Sequence, residues 1–592
     1  MSKTIQKKRL RNKERGSQFW IFYKKKLPVA QLVEVFTEWV TKTFSGLFDF
    51  LQMIGSAIMD FVTNTLVFIN PLLFIVLATV AVYFLAKKKW QIPTLTFLGL
   101  LFIYNQGLWE ELLNTFTLVL VASLISIVIG VPLGIWMAKN NTVKNIVNPI
   151  LDFMQTMPAF VYLIPAVAFF GIGMVPGVFA SVIFALPPTV RFTNLAIREI
   201  STELIEASDS FGSTPSQKLF KVELPLAKNT IMAGVNQTMM LALSMVVTGS
   251  MIGAPGLGRE VLSALQKADI GNGFVSGISL VILAIILDRV TQAFNTKSEG
   301  GKPKSSVNKW VGIAALVVFL GAALGRVFIN MNSDKSGKGE TVRISYVQWD
   351  SEVASTNVIA TVLEDEGYKV DMTPLDNAVN WQTIANSDAD FSTSAWLPVT
   401  HGDQYAKYKD QLDDLGPNLE GTKLGLVVPS YMDVASIEDL TDQSGKKITG
   451  IEPGAGIMNA AEASLKDYSN LSDWELTSAS TGAMTSSLEK AIKAKDEIII
   501  TGWSPHWMFS KYDLKYLEDP EGSFGAEENI TTIARKGLKE DMPNVYKIID
   551  NFHWTTEDME EVMLDMNDGM SPEDAARKWV DANQDKVKEW LK

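Results

Sequence analysis

Cysteine is absent from all 592 residues. That excludes a disulfide framework, a thiolate-held zinc or iron–sulfur centre and a thiol nucleophile. Only three histidines occur, at 401, 506 and 553, too few for a His-rich metal site. No Gly-x4-Gly-Lys-Ser/Thr phosphate loop is present; Gly445-Lys446-Lys447 lacks both the upstream glycine and the hydroxyl. No carboxylate pair, triad or metal cluster can be picked out, so an enzyme is the weakest reading. The first 26 residues hold ten Lys/Arg and one Glu but no apolar core, so no cleavable signal peptide is expected. Disorder is excluded in turn, because 47% of the chain is hydrophobic and only 20% charged.

What is present divides into two halves. Residues 1–340 carry 31 Lys/Arg against 19 Asp/Glu, a net of +12; residues 341–592 carry 22 against 46, a net of −24. A basic apolar half followed by an acidic polar half reads as a membrane domain with a soluble domain attached.

Eight stretches approach the ~20 apolar residues needed to cross a bilayer. They lie near 67–86, 92–109, 113–138, 159–174, 176–191, 231–253, 273–293 and 310–329. The segment 28–62 differs: Leu32, Val35, Phe36, Trp39 and Val40 recur at helical spacing, with Glu34, Glu38, Lys42, Asp49 and Asp60 among the apolar residues. It reads as an amphipathic interfacial helix, with a helix packed on the bundle as the alternative. The basic run before it is suited to anionic lipid headgroups, or is a solvated tail. Lysines at 87–89, 139, 144, 297, 302, 304 and 309 alternate consistently as cytoplasmic. Loop 105–112 and everything after 329 are then external. Eight spans would also put the basic amino terminus outside, against the same rule, unless 28–62 spans.

Segment 192–230 is too polar for a span and falls on the cytoplasmic side. It reads Glu206-Ala207-Ser208, three residues, Gly212, nine residues, then Val222-Glu223-Leu224-Pro225. Two helices with a break are expected. Gly212 suits the end of the first, where positive φ costs glycine little. Thr214, Pro215 and Gln217 form a capping-box start for the second, and Pro225 is expected to limit it. This spacing resembles the EAA loop of ABC importer permeases, with Ser for the second Ala and Val for Ile. The resemblance implies that Glu206, Ala207, Gly212, Leu224 and Pro225 belong to a coupling helix, 203–228, that docks into an ATP-hydrolysing subunit. ATP and Mg²⁺ then belong to that partner, and this chain carries no cofactor. The family's engine uses two ATPase subunits, so with one loop per chain the resemblance implies two copies of this chain and two of the partner.

In the acidic half, alternating strands at 342–347, 369–373, 424–428, 447–451 and 497–501 with helices between them indicate α/β architecture. Nine of the fifteen tryptophans lie here. Trp349, Trp396 and Trp503 each sit just past the carboxyl end of an expected strand, the edge where open α/β sheets bind ligands. Trp381, Trp474, Trp554, Trp579 and Trp590 read as packing residues. Several ring faces around one point suit a quaternary ammonium, which has no N–H to donate, at ~2 kcal/mol or more per ring when desolvated. The Gly-rich turn Gly450-Ile-Glu-Pro-Gly-Ala-Gly-Ile457 leads from a strand into a helix and offers backbone N–H groups to a carboxylate. His506 and Trp507 beside Trp503 are rivals for the site; His506 after Pro505 reads as positioning its loop.

This domain resembles the glycine betaine-binding proteins of ABC importers, and residues 60–592 resemble their fused permease–receptor subunits of the OpuABC type. The resemblance implies a trimethylammonium box of Trp349, Trp396 and Trp503. It implies a ligand carboxylate held by the backbone of Gly456 and Ile457 and by His401, five residues after Trp396. It also implies a two-lobed type II receptor that closes on its ligand.

The expected organisation is 1–62 basic terminus and interfacial helix, 63–295 an α-helical type I ABC permease, 296–340 a linker with anchoring helix 310–329, and 341–592 an extracellular α/β receptor. With no cysteine for a lipid anchor, a cell lacking an outer membrane is expected. Glycine betaine is the expected substrate; proline betaine, carnitine and choline are the alternatives, and a membrane ligand sensor is the rival class. No nucleic acid or metal is expected.

Overall fold

In a computed structural model the described residues are 29–85, 90–266, 269–295, 313–314, 317–324 and 339–592. The basic terminus, the linker and most of the expected anchor 310–329 lie outside them.

Among the described residues, five helices are long and apolar enough to cross a membrane: Ser45–Val67, Trp109–Lys139, Met174–Arg198, Pro215–Ser250 and Ile270–Gln292. Four answer to expected spans; Pro71–Leu85 and Gln91–Asn105 are apolar helices of 15 residues each. Three expectations change. Segment 28–62 is two helices, Val29–Thr43 and Ser45–Val67, and the second has span length, so an interfacial helix over the whole segment does not hold. Asp60, which breaks its hydropathy, lines a polar cavity with Asn64, Glu110 and Arg259. Segment 159–174 is not a straight span. Pro158 pushes Met157 out of helical geometry (φ −70°, ψ 133°), and the chain bends 109° between Asn141–Thr156 and Ala159–Phe170. Nor does Pro225 end its helix. A π turn over Leu219–Glu223 absorbs the missing N–H, and the helix runs on to Ser250.

The receptor has nine strands: β1 Thr341–Tyr346, β2 Lys369–Pro374, β3 Phe391–Leu397, β4 Leu412–Pro429, β5 Lys447–Thr449, β6 Glu475–Thr477, β7 Ile500–Ser504, β8 Leu514–Tyr516 and β9 Glu528–Arg535. Their order is β2-β1-β3-β9-β4-β7-β5-β6, with β8 on β4. The first lobe is built on β2, β1, β3, β9 and the start of β4; the second on the end of β4 with β7, β5, β6 and β8. β4 passes from Thr422, paired with Glu528, to Lys423, paired with Ser504, and so belongs to both lobes.

The helix Asp350–Asp365 behind β1 is buried from Ser351 to Leu363, which its Val, Ala, Ile and small polar residues permit. Asp350 in its first turn complements the helix dipole. Buried Asp390 binds β1 to β9 by accepting from Arg343 Nη2 at 2.8 Å and Arg535 Nε at 2.7 Å. Burial alone would raise its pKa; these hydrogen bonds outweigh that and hold it below the usual carboxylate range.

The receptor is seated on the permease. Ser480 Oγ donates to the Leu265 carbonyl at 3.3 Å, Gly253 lies beneath Thr373 and Leu375, and Gly171 lies against Asp388.

Candidate functional site

Three strands deliver the three tryptophans to one cleft. Trp396 and Trp503 are the last residue but one of β3 and β7, inside the strand ends rather than past them. Trp349 caps the start of helix Asp350–Asp365, three residues after β1. The helix Gly456–Asp467 follows the turn after β5 and contributes Gly456 and Ile457. With His401 these six residues line a single cavity of roughly 340 Å³ including its mouth, and Leu424, Ile451 and Ala455 add an apolar wall. All six expected ligand residues are thus brought together, from both lobes.

His401 is fixed by a closed ring of backbone contacts. Its N–H donates to the Trp396 carbonyl at 2.9 Å, and the Trp396 N–H donates to His401 Nδ1 at 3.1 Å. This reciprocal pair accounts for the five-residue spacing. With Nδ1 accepting, the ring proton is on Nε2, which is buried without a protein partner. Burial lowers the imidazole pKa to about 3, so the ring is a neutral donor. Trp349 stacks against it at 6.0 Å and Trp381 meets it edge-on at 5.8 Å. Trp381 is therefore a packing residue for the site histidine.

Glu528 was not singled out from the sequence. Its carboxylate accepts from the Val399 and Thr400 amides and from the Thr400 hydroxyl, pinning the turn that carries His401. Only the pairing of β9 with β3 and β4 brings it there, 128 residues away from Thr400 in sequence.

Gly456 and Ile457 open a helix whose first amides have no intrahelical acceptor. Glu452 holds the approach by accepting from Thr481 N at 2.8 Å and Thr481 Oγ at 2.9 Å. A Cβ on Gly456 would collide with the Thr400 carbonyl of the other lobe, so glycine is required for closure. Among the described residues, no carboxylate lines the cavity. Glu352 lies behind it and accepts from Val347 N at 2.7 Å; complete burial pushes its pKa well up, which favours the neutral acid. A cation here meets ring faces, and an anion meets amides and one imidazole N–H.

The rival residues sit to one side. His506 Nδ1 accepts from Met508 N at 3.1 Å and caps the short helix Trp507–Lys511. Its ring is edge-on to Trp503 at 4.8 Å, so it packs against that tryptophan from outside the cavity.

The second candidate surface is the 203–228 loop expected to couple to an ATPase. Helix Thr202–Ser210 ends before Gly212, at φ +74°. Thr214 and Gln217 make the expected capping box, at 3.3 and 3.0 Å. Lys218 bonds Asp209 at 2.7 Å, and buried Glu223 pairs with Lys139 at 2.5 Å, tying the loop to helix Trp109–Lys139. Glu206, Ala207, Gly212 and Pro225 are exposed, and Leu224 is half-buried. Phe211 is 90% and Phe220 65% exposed, two apolar side chains presented outward.

Two family descriptions match the chain. Residues 340–582 match the substrate-binding domain of ABC-type glycine betaine transport systems. Residues 130–299 match the binding-protein-dependent transport system inner membrane component. The glycine betaine/carnitine transport permease GbuB of Listeria monocytogenes is 58% identical over 275 residues, 46% of this chain and 97% of that protein. The glycine betaine permease OpuAB of Bacillus subtilis is 49% identical over 274 residues, 46% of this chain and 96% of that protein. A solved structure, lactococcal OpuAC closed on glycine betaine, is 57% identical and covers 43% of this chain and 100% of its own, with a TM-score of 0.42.

Proposed function

This chain belongs to the glycine betaine ABC importers, as a permease with the substrate-binding domain fused behind it, and we infer that it captures glycine betaine and passes it through the membrane. It is a multi-pass membrane protein. The observation that carries the substrate reading is the cavity itself. Trp349, Trp396 and Trp503 surround the trimethylammonium group, and His401 Nε2–H with the Gly456 and Ile457 amides holds the carboxylate. Ring quadrupoles and methyl burial suit a cation that cannot donate a hydrogen bond. The neutral histidine and the helix-start amides supply donors without a buried net charge, which would be costly to desolvate. Choline fits the cage but leaves these donors unmatched; carnitine and proline betaine carry both groups.

The receptor faces outward from a cell with one membrane and delivers ligand to a path between two copies of the permease. Two ATPase subunits dock on the 203–228 loops, holding ATP and Mg²⁺, with Phe211 and Phe220 entering their clefts. The EAA-type spacing of that loop favours a transporter over a ligand sensor, which needs no such dock. Lipid vesicles containing this chain and its ATPase should accumulate radiolabelled glycine betaine only with ATP. ATP-independent uptake, or hydrolysis unaffected by betaine, would refute the assignment.

A further inference from the structure

The two lobes touch at a second place outside the cavity. Asp350 follows Trp349 in the first lobe, while His506 and Trp507 follow Trp503 in the second. Trp507 Nε1 donates to Asp350 Oδ2 at 2.6 Å, and His506 Nε2 stands 3.7 Å from the same oxygen. At the rim of this seam Ser510 Oγ donates to Glu560 at 3.3 Å and Lys511 Nζ to Asn567 at 2.8 Å.

We propose that Asp350 is the acceptor of an interlobe clasp, closed by the Trp507 indole N–H, that sets how long the closed receptor retains its ligand. The proposal rests on the reading of the cavity as the betaine site. Asp350 is a positioning residue, because it does not line the cavity. Its charge is favoured by the helix amino terminus on which it sits. Trp507 is buried, and a buried indole N–H usually finds an acceptor; the one it has belongs to the other lobe. A short bond to a carboxylate is of the stronger, charge-assisted kind. The exposed rim contacts contribute little by comparison. His506 Nδ1 is taken by the Met508 amide, which leaves Nε2–H facing Asp350 and without another partner. The clasp residues are also immediate or near neighbours of two cage tryptophans, so separating the lobes breaks the clasp and the cage together.

Release of radiolabelled glycine betaine from the full-length chain in nanodiscs, chased with unlabelled betaine, measures the clasp. Trp507→Phe keeps the ring and removes the N–H; Asp350→Ala removes the acceptor. Each should speed release about tenfold to a hundredfold, the range of one hydrogen bond to a charged group. The association rate should stay within about twofold. The double variant should release no faster than the faster single, since both remove one bond. Asp350→Asn, which keeps an acceptor oxygen, should fall between. Release at the wild-type rate from Trp507→Phe overturns the clasp, as does full additivity in the double variant. Wild-type chain that binds no betaine overturns the site reading and the clasp with it, whereas normal binding with unchanged release overturns the clasp alone.

Discussion

The His401 imidazole is useful because it is buried. In water it would titrate near 6.5, but inside the receptor its pKa falls to about 3 and its Nδ1 is taken by the Trp396 amide. One donor remains, and it is neutral across the physiological range. His401→Ala should therefore weaken glycine betaine about tenfold to a hundredfold, the worth of a hydrogen bond to a carboxylate, while choline affinity hardly moves. Calorimetry with both ligands on the full-length chain separates the two. Equal loss for both would mean that the histidine merely supports its loop. Betaine affinity should also be flat between about pH 5 and 8, because a folded-state pKa near 3 leaves the ring unprotonated throughout. A steep gain as pH falls from 7 to 5 would instead identify imidazolium as the donor. That these six residues meet in one cavity was legible because residue type and short spacing carry them: three Trp at or near strand ends, a histidine five residues on, a Gly-rich helix start. Glu528 and Trp381 were not, because they reach His401 only through pairing and packing of distant segments.

At the scale of elements, local chemistry was read more reliably than continuity. Gly212 at positive φ and the Thr214–Gln217 capping box follow from a few adjacent residues. Pro225 misled, since a single π turn lets a helix pass a proline. The span-length helix Ser45–Val67 was obscured by Asp60, which lines a polar cavity. The long β4, shared by both lobes, was seen only in its apolar second half, because Asp413, Asp414, Gly416 and Pro417 make its beginning read as a turn. The coupling loop has its own test. Gly212→Val puts a β-branched residue at φ +74°, and Glu206→Lys reverses an exposed charge on the expected docking face. Betaine binding should survive both changes, while uptake and betaine-stimulated ATP hydrolysis fall several-fold in vesicles. Wild-type uptake by the double variant would remove this loop from the coupling path.

For the whole molecule, the fusion changes the kinetics of delivery. A receptor joined to its permease by a short segment is present at an effective concentration in the millimolar range, so docking needs no free receptor pool. Everything downstream depends on whether the three tryptophans hold the cation. Titration of glycine betaine into the full-length chain in nanodiscs, wild type beside Trp349→Ala, Trp396→Ala and Trp503→Ala, tests this most directly. The wild type should bind in the micromolar range, and each substitution should cost ~2 kcal/mol or more, about thirtyfold in Kd. Two of the three variants, shown folded by circular dichroism, binding betaine as the wild type does would contradict the cage.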